Sequence, residues 1–295
     1  MSVQPFDDRD GVIWFDGKFV DWRDAKVHVL THAMHYASAV FEGERVYEGK
    51  VFRLTDHSQR LLRSAELLGF KIPYSLAEID AATNETVKRS GFKDAYVRPI
   101  AWRGSEQMGV SAQHSKIHLA IAVWQWPAYF SPEALNKGIR MTFAKWRRPA
   151  PDTAPTASKA AGLYMICTLS KHAAESEGYA DALMLDWRGQ IAEATGANVF
   201  LGIGGELHTP KPDCFLDGIT RRTIMDLATR RGIAIKERAI WPEELETFQQ
   251  MFLTGTAVEV TPVRSAGPWN FEVGDMTREL AKDYEDLVNG RIPNA

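Results

Sequence analysis

Three stretches of the sequence carry residue types that do chemistry at spacings that suit it. The segment Ala154–Met165 (APTASKAAGLYM) sets Lys159 among Ala157, Ser158, Ala160, Ala161 and Gly162, small neighbours that leave room for a flat ligand. An amine there becomes a Schiff-base nucleophile when its ammonium loses a proton cheaply. Partial burial favours that, and so does the positive end of a helix expected to run from about Lys159 through Ser176. In Ile191–Leu201 (IAEATGANVFL), Glu193 ends a strand beside a Thr195–Gly196 bend, from which a carboxylate can face a cleft. In Leu216–Arg222 (LDGITRR), Gly218 precedes Ile219 and Thr220, whose amides are the unpaired first donors of a helix continuing to Arg231. Thr254-Gly255-Thr256 repeats that chemistry before a strand. An amine for an aldehyde, an anion for a protonated ring nitrogen and a backbone cradle for a phosphate are the needs of pyridoxal 5'-phosphate. Each piece alone also fits a solvated lysine, a turn glutamate or a plain loop; together they mean more.

The elements that must hold these groups fall into two sets. In the first, hairpins are expected around Asp16-Gly17 and around Glu48-Gly49, the latter joining strands Val40–Tyr47 and Lys50–Leu54. A helix capped by Thr55 runs to Leu68 with Leu61, Leu62, Ala65 and Leu68 as its apolar stripe. A second helix starts at the capping box Ser75–Glu78 and ends at Gly91, and buried strands follow at Ala95–Trp102 and Ile117–Trp124. The periodic pattern lapses in Trp126–Gly138 (WPAYFSPEALNKG). We therefore expect an α+β fold of two domains: a smaller α/β N-terminal domain over 1–125, an interdomain loop over 126–138, and a larger C-terminal cofactor-binding domain over 139–295. Closely spaced strands between Ala182 and Val263, with helices at Arg221–Arg231 and Thr277–Val288, predict a barrel-like sheet flanked by helices.

Bulk properties narrow the partners. Of 295 residues, 45% are hydrophobic, enough for buried cores, and a net charge of -3 gives no footprint for nucleic acid or an anionic membrane. No apolar run spans a bilayer and the start MSVQPFDDRDG is acidic, so a cytoplasmic protein is expected. Cys167 and Cys214 stand apart, as reduced core residues do. His28, His32 and His35 are spaced for a metal, but His28 lies in strand-like VHVL with no acidic or cysteine ligand near, so core or interface histidines, and no metal, are expected. Gly202–Gly205 joins two strands and opens no helix, which makes it a hairpin turn rather than a dinucleotide loop.

From about Ile13 to Val263 the chain resembles bacterial branched-chain amino acid aminotransferases, fold type IV pyridoxal-phosphate enzymes. The resemblance rests on DAKVHVLTHAMHYASAVFEGERVY, AYVRP, MGV, WPAY, PTASKAAGLY, EATGANVF, DGITR and LTGTAVEVTPV in the family's order. It implies Lys159 as the catalytic amine that carries pyridoxal 5'-phosphate, Glu193 on the ring nitrogen, Tyr164 on the phenolic oxygen and Leu216 against the ring. Arg60 and the amides about Gly218, Ile219, Thr220 and Thr256 take the phosphate. Substrate falls to Phe41, Gly43, Arg45, Trp126, Tyr129 and Tyr164, with Tyr36 and Val110 from the neighbouring subunit, so a homodimer or higher homo-oligomer is implied. Tyr96 with Thr256 and Ala257 would bind the α-carboxylate, and Arg98 the side-chain carboxylate of glutamate. Branched-chain L-amino acids (leucine, isoleucine, valine) and 2-oxo acids are the implied partners.

Other activities on the same fold stay in view: a D-amino acid or (R)-amine transaminase, or the lyase that makes 4-aminobenzoate (aminodeoxychorismate lyase). The set Tyr36, Gly43, Arg45, Tyr96, Arg98 and Met108-Gly109-Val110 favours the branched-chain pattern over them. Retention of both Lys159 and Glu193 weighs against a non-catalytic binding protein. One position departs from the family: after Phe41-Glu42-Gly43 an aliphatic residue is usual, and here it is Glu44. Alternation puts Phe41, Gly43 and Arg45 toward the cofactor and Glu42 and Glu44 away from it, so Glu44 is read as structural.

Overall fold

The computed structural model describes residues 4–126 and 129–293. Pro127 and Ala128 of the WPAY loop, and the first three residues of the acidic start, lie outside them. The chain divides into two compact units: Met1–Pro127 with Ser158–Gly162, and Ala128–Ala157 with Leu163–Ala295. The segment that carries Lys159, placed above with the C-terminal domain, thus goes with the first unit.

The first unit is built on an antiparallel sheet of β1 (Val12–Phe15), β2 (Lys18–Asp21), β3 (Ala39–Phe41), β4 (Glu44–Tyr47), β5 (Lys50–Val51), β6 (Ala95–Arg103) and β7 (Ile117–Gln125). The order is β2-β1-β7-β6-β4-β5, with β3 also on β6. Both expected hairpins form, and their turn pairs, Asp16-Gly17 and Glu48-Gly49, take the positive φ that matches strand twist. The expected strand Val40–Tyr47 is split. Glu42 N donates to Pro99 O of β6, but Pro99 has no N–H to return, so the ladder lapses between β3 and β4.

A short helix α1 (His32–Tyr36) precedes β3 and had no clear periodicity in the sequence. Helix α2 (Leu54–Leu67) starts one residue before Thr55, behind Arg53 in the left-handed conformation; Thr55 does not cap it but donates to Asp80. Helix α3 (Leu76–Ser90) has the capping box at Ser75 and Glu78 and ends at Gly91, as read. Leu61 and Ala65 of α2 and Ile79, Ala82 and Val87 of α3 pack on Val46, Val97 and Ile121 of the sheet as one core.

In the second unit the strands are β8 (Ile139–Phe143), β9 (Asp181–Leu185), β10 (Ile191–Ala194), β11 (Asn198–Ile203), β12 (Glu206–Pro210), β13 (Ala234–Arg238), β14 (Gln250–Gly255), β15 (Glu259–Ala266) and β16 (Trp269–Asn270). They pair in the order β10-β9-β8-β15-β14-β11-β12-β13, with β16 on β15. Strand β10, at one end of that path, packs against β11 and β12 near the other, so the sheet curls back into the expected barrel-like form. Helices α4 (Pro132–Lys137), α5 (Met165–Ser176), α6 (Ile219–Arg230) and α7 (Asp275–Val288) flank it. Helix α4 falls in the stretch expected to be loop; Ser131 caps it and Pro132 opens it. The architecture is α+β. Among the described residues no helix is long and apolar enough to cross a membrane.

Candidate active site

Lys159 does not start a helix, contrary to the sequence reading. A 3-10 turn at Ala161–Tyr164 intervenes and α5 begins at Met165. Lys159 lies instead in extended backbone along the edge of β3. Ala160 bridges Val40, Phe41 N donates to Lys159 O (3.2 Å), and Lys159 N donates to Ser64 Oγ of α2 (3.0 Å). Ser158 Oγ, buried, donates to Ser64 O (2.9 Å). No helix dipole is available to acidify the amine, yet its pKa is lowered. Enclosure of the ammonium is the largest cause and Arg60 the next, with Arg98 adding a little and Glu42 and Tyr96 opposing.

Around this amine the first unit gathers half of the residues expected to meet substrate. Lys159 Nζ stands 5.2 Å from the centre of the Phe41 ring. Arg98, from the middle of β6, lies over Phe41 at 4.7 Å and contacts Tyr96 Oη through Nη2 at 3.4 Å. Tyr96 packs on Trp126 with ring centres 4.5 Å apart. Gly43 makes room for this: a Cβ there would fall 1.9 Å from Tyr96 Oη. Arg45 is opposite Tyr96 in the β4–β6 register and lies over Tyr47.

Arg60 is held from behind. Glu42, fully buried, accepts from Arg60 Nε (2.7 Å) and Nη2 (2.8 Å), and His57 Nδ1 is 2.8 Å from Glu42 Oε2. Although burial favours the neutral acid, Arg60 and then His57 hold the Glu42 carboxyl far below the usual range. Burial lowers the pKa of His57, so its neutral ring donates from Nδ1.

Tyr36 and Val110 stand on an exposed apolar patch rather than in the Lys159 cluster. Tyr36 is 45% and Val110 88% exposed, and Val29 and Met34 are exposed as well. They belong to one region, because Tyr36 stacks on buried His32, whose Nε2 is 2.8 Å from Gly109 O. His28 Nδ1 accepts from Leu30 N, and His35 bonds Val29 O, so the three histidines serve separate backbone groups.

The second unit holds the remaining expected residues. Glu193 is buried near the end of β10, where Thr195 Oγ1 donates to Asp181 and fixes the bend that follows. Arg148 Nε is 3.3 Å from Glu193 Oε1, and Asn198 Nδ2 donates both to Glu193 Oε2 (3.3 Å) and to Leu216 O (3.0 Å). Asn198 also abuts Gly218, where a Cβ would come within 2.2 Å of its Oδ1. The amide thereby ties Glu193, Leu216 and the start of α6 into one group. Gly218 caps α6 without a side chain, and Ile219 and Thr220 behind it are buried. Thr256 and Ala257 form the turn between β14 and β15, and Thr254 Oγ1 beside them is buried with no partner among the described residues. Tyr164 is half-buried at the end of its 3-10 turn. Tyr129 is 44% exposed and its ring faces Phe130 and Lys171.

Glu42, His57, Ser64, Arg148 and Asn198 were not singled out by the sequence reading as site groups. The one signal for any of them is periodic: His57 and Ser64 share the face of α2 that carries Leu61, and a polar residue on an apolar stripe asks for a partner.

This fold and constellation define a class, and comparison with known proteins agrees: the chain belongs to the class IV aminotransferase family, whose profile (Amino-transferase class IV) matches residues 39–266. Within it the chain is 42% identical to the branched-chain-amino-acid aminotransferase of Pseudomonas aeruginosa over 96% of this chain and 95% of that protein. The crystal structure of the Escherichia coli branched-chain amino acid aminotransferase superposes with a TM-score of 0.93 at 37% identity, covering 97% of both chains. The branched-chain amino acid aminotransferase of the archaeon Thermoproteus uzoniensis, solved with norvaline, superposes with a TM-score of 0.91 at 36% identity, covering 96% of both chains. A further branched-chain amino acid aminotransferase, complexed with N-(5'-phosphopyridoxyl)-L-glutamate, superposes with a TM-score of 0.92 at 33% identity, covering 97% of this chain and 96% of that one.

Proposed function

We propose that the protein transfers the amino group of branched-chain L-amino acids to 2-oxoglutarate with pyridoxal 5'-phosphate. Arg98 carries this reading: one guanidinium set against Phe41 and Tyr96, beside the Lys159 amine. The residues suit the cofactor. The lowered pKa of Lys159 favours the neutral amine, the bare N-terminus of α6 behind Gly218 and the buried Thr254 hydroxyl suit a phosphate, and Glu193 suits a protonated ring nitrogen. Arg60 and Thr256 would join the phosphate set, Tyr164 the phenolic oxygen and Leu216 the ring face. When bound, the cofactor supplies an electron sink for the bond broken at Cα.

The chain's own groups do the rest. Lys159 Nζ takes the proton from Cα and holds it for return. Tyr96, with Thr256 and Ala257, orients the α-carboxylate. Phe41, Trp126 and Tyr129 give leucine an apolar wall, and Arg98 meets the second carboxylate of glutamate, which an apolar wall alone would strand. A second copy of the chain covers the patch of Val29, Met34, Tyr36 and Val110 and brings Tyr36 and Val110 to the neighbour's site. The free, buried Cys167 and Cys214 suit a reducing cytoplasm.

Borohydride reduction of the purified protein followed by peptide mapping should label Lys159; a label on another lysine would overturn its role. Half-reactions with L-leucine, L-isoleucine, L-valine, L-glutamate, D-alanine and an (R)-arylamine should proceed with the four L-amino acids. Turnover of D-alanine or the amine in preference to them would sink the reading.

A further inference from the structure

Glu44 opens β4, two residues beyond Glu42 and two before Val46, so the three share one face. That face is covered by α2 and α3: Glu42 reaches His57 and Arg60, and Val46 packs with Leu61, Ala65 and Ile79. Glu44 sits between them, fully buried, and among the described residues neither of its carboxyl oxygens has a hydrogen-bond partner. Ser58 of α2, one turn before Leu61, and Thr83 of α3, one turn after Ile79, are also buried, with hydroxyls that find no partner among the described residues. The charged groups that Glu44 feels are Glu42 across Gly43, Asp80 from α3 and Arg60 from α2. Two acids therefore face it against one cation, and that cation already donates twice to Glu42.

A carboxylate enclosed without a partner is far costlier than a neutral acid. Burial pushes the Glu44 pKa well above the usual carboxylate range, Glu42 and Asp80 push it further, and Arg60 offsets a part. We infer that Glu44 is a positioning residue that works as a neutral acid: holding its proton, it leaves the two bonds from Arg60 to Glu42 undisturbed and so keeps the phosphate anchor in place. Ionised, it would compete with Glu42 for the one guanidinium and loosen that anchor. The inference rests on the proposed reading of Arg60 as a phosphate ligand.

Glu44→Gln, which mimics the neutral acid, tests it on the cofactor-loaded protein. Cofactor release and melting temperature are followed for wild type, Glu44→Gln and Arg60→Gln across the neutral and alkaline range. Release from wild type should accelerate with rising pH by about ten-fold or more, the worth of one charge-assisted hydrogen bond, whereas Glu44→Gln should stay slow throughout. The wild-type melting temperature should fall over the same range and that of Glu44→Gln should not. The same alkaline acceleration in both proteins overturns the inference, and so does a difference confined to melting, since that is a structural role alone. Arg60→Gln tells the two readings apart. If it leaves release unchanged, Arg60 is no anchor and the inference falls with that reading; if it releases fast while Glu44→Gln tracks wild type, the inference alone fails.

Discussion

Arg98 lies 4.7 Å over Phe41 and touches Tyr96, so it shares its surroundings with an apolar wall and a hydroxyl. In the proposed reaction it meets a carboxylate that glutamate has and leucine lacks. Arg98→Ala should therefore slow the glutamate half-reaction by roughly ten- to hundred-fold, a charge-assisted pair being worth about 1.5–3 kcal/mol, and spare leucine. Stopped-flow measurement of both half-reactions checks this; equal losses, with a lowered melting temperature, would make Arg98 a structural cation. At this scale the sequence points to candidates that sit in contiguous motifs, as Lys159, Glu193 and Gly218 do. It was silent on groups that act through distant partners. Ser64 meets Lys159 across 95 positions and Glu42 meets Arg60 across 18, and no local pattern announces either.

Among elements, the junction of β3 and β4 sets the geometry of the site. Pro99 interrupts the ladder there, and Gly43 in the gap admits the Tyr96 hydroxyl, which a Cβ would meet at 1.9 Å. Gly43→Ala must push Tyr96 out of its packing with Trp126. It should cost about 1–3 kcal/mol in stability and raise KM for leucine and glutamate together by about ten-fold or more. Unchanged KM values would mean that Tyr96 does not orient the shared α-carboxylate. Elements with strong local chemistry were readable in advance: the Ser75 capping box and the Asp16-Gly17 hairpin form as read. Thr55 misled because its hydroxyl finds Asp80 on another helix. Lys159 misled because Ala160 joins Val40, and a tertiary bridge holds extended a stretch whose composition favours helix.

For the molecule as a whole, buried titratable groups set an acid limit on stability. His57 and Glu42 both have folded pKa values below their unfolded ones, so each contributes stability that is complete above its unfolded pKa and lost as pH falls. Loss should begin near about pH 6.5 through His57 and deepen below about pH 4.5 through Glu42. His208 in the second unit, lowered by burial and by Arg238, adds to the first phase. Scanning calorimetry on His57→Gln should show a shallower fall where the loss sets in below about pH 6.5, and an acid limb identical to wild type would clear His57 of that role. The lapse after Trp126 is a local pattern, whereas the return of Ser158–Gly162 to the first unit has none, because membership there depends on distant contacts, those with Ser64, Val40 and Phe41 among them. This return has a consequence for synthesis. A ribosome that has delivered the first 127 residues has made every strand of that unit's sheet but not its amine, and the next thirty residues belong elsewhere. The edge of β3 and the hydroxyl of Ser64 must wait for them, so the nascent unit gains its chemistry only when a later stretch of chain comes back to close it.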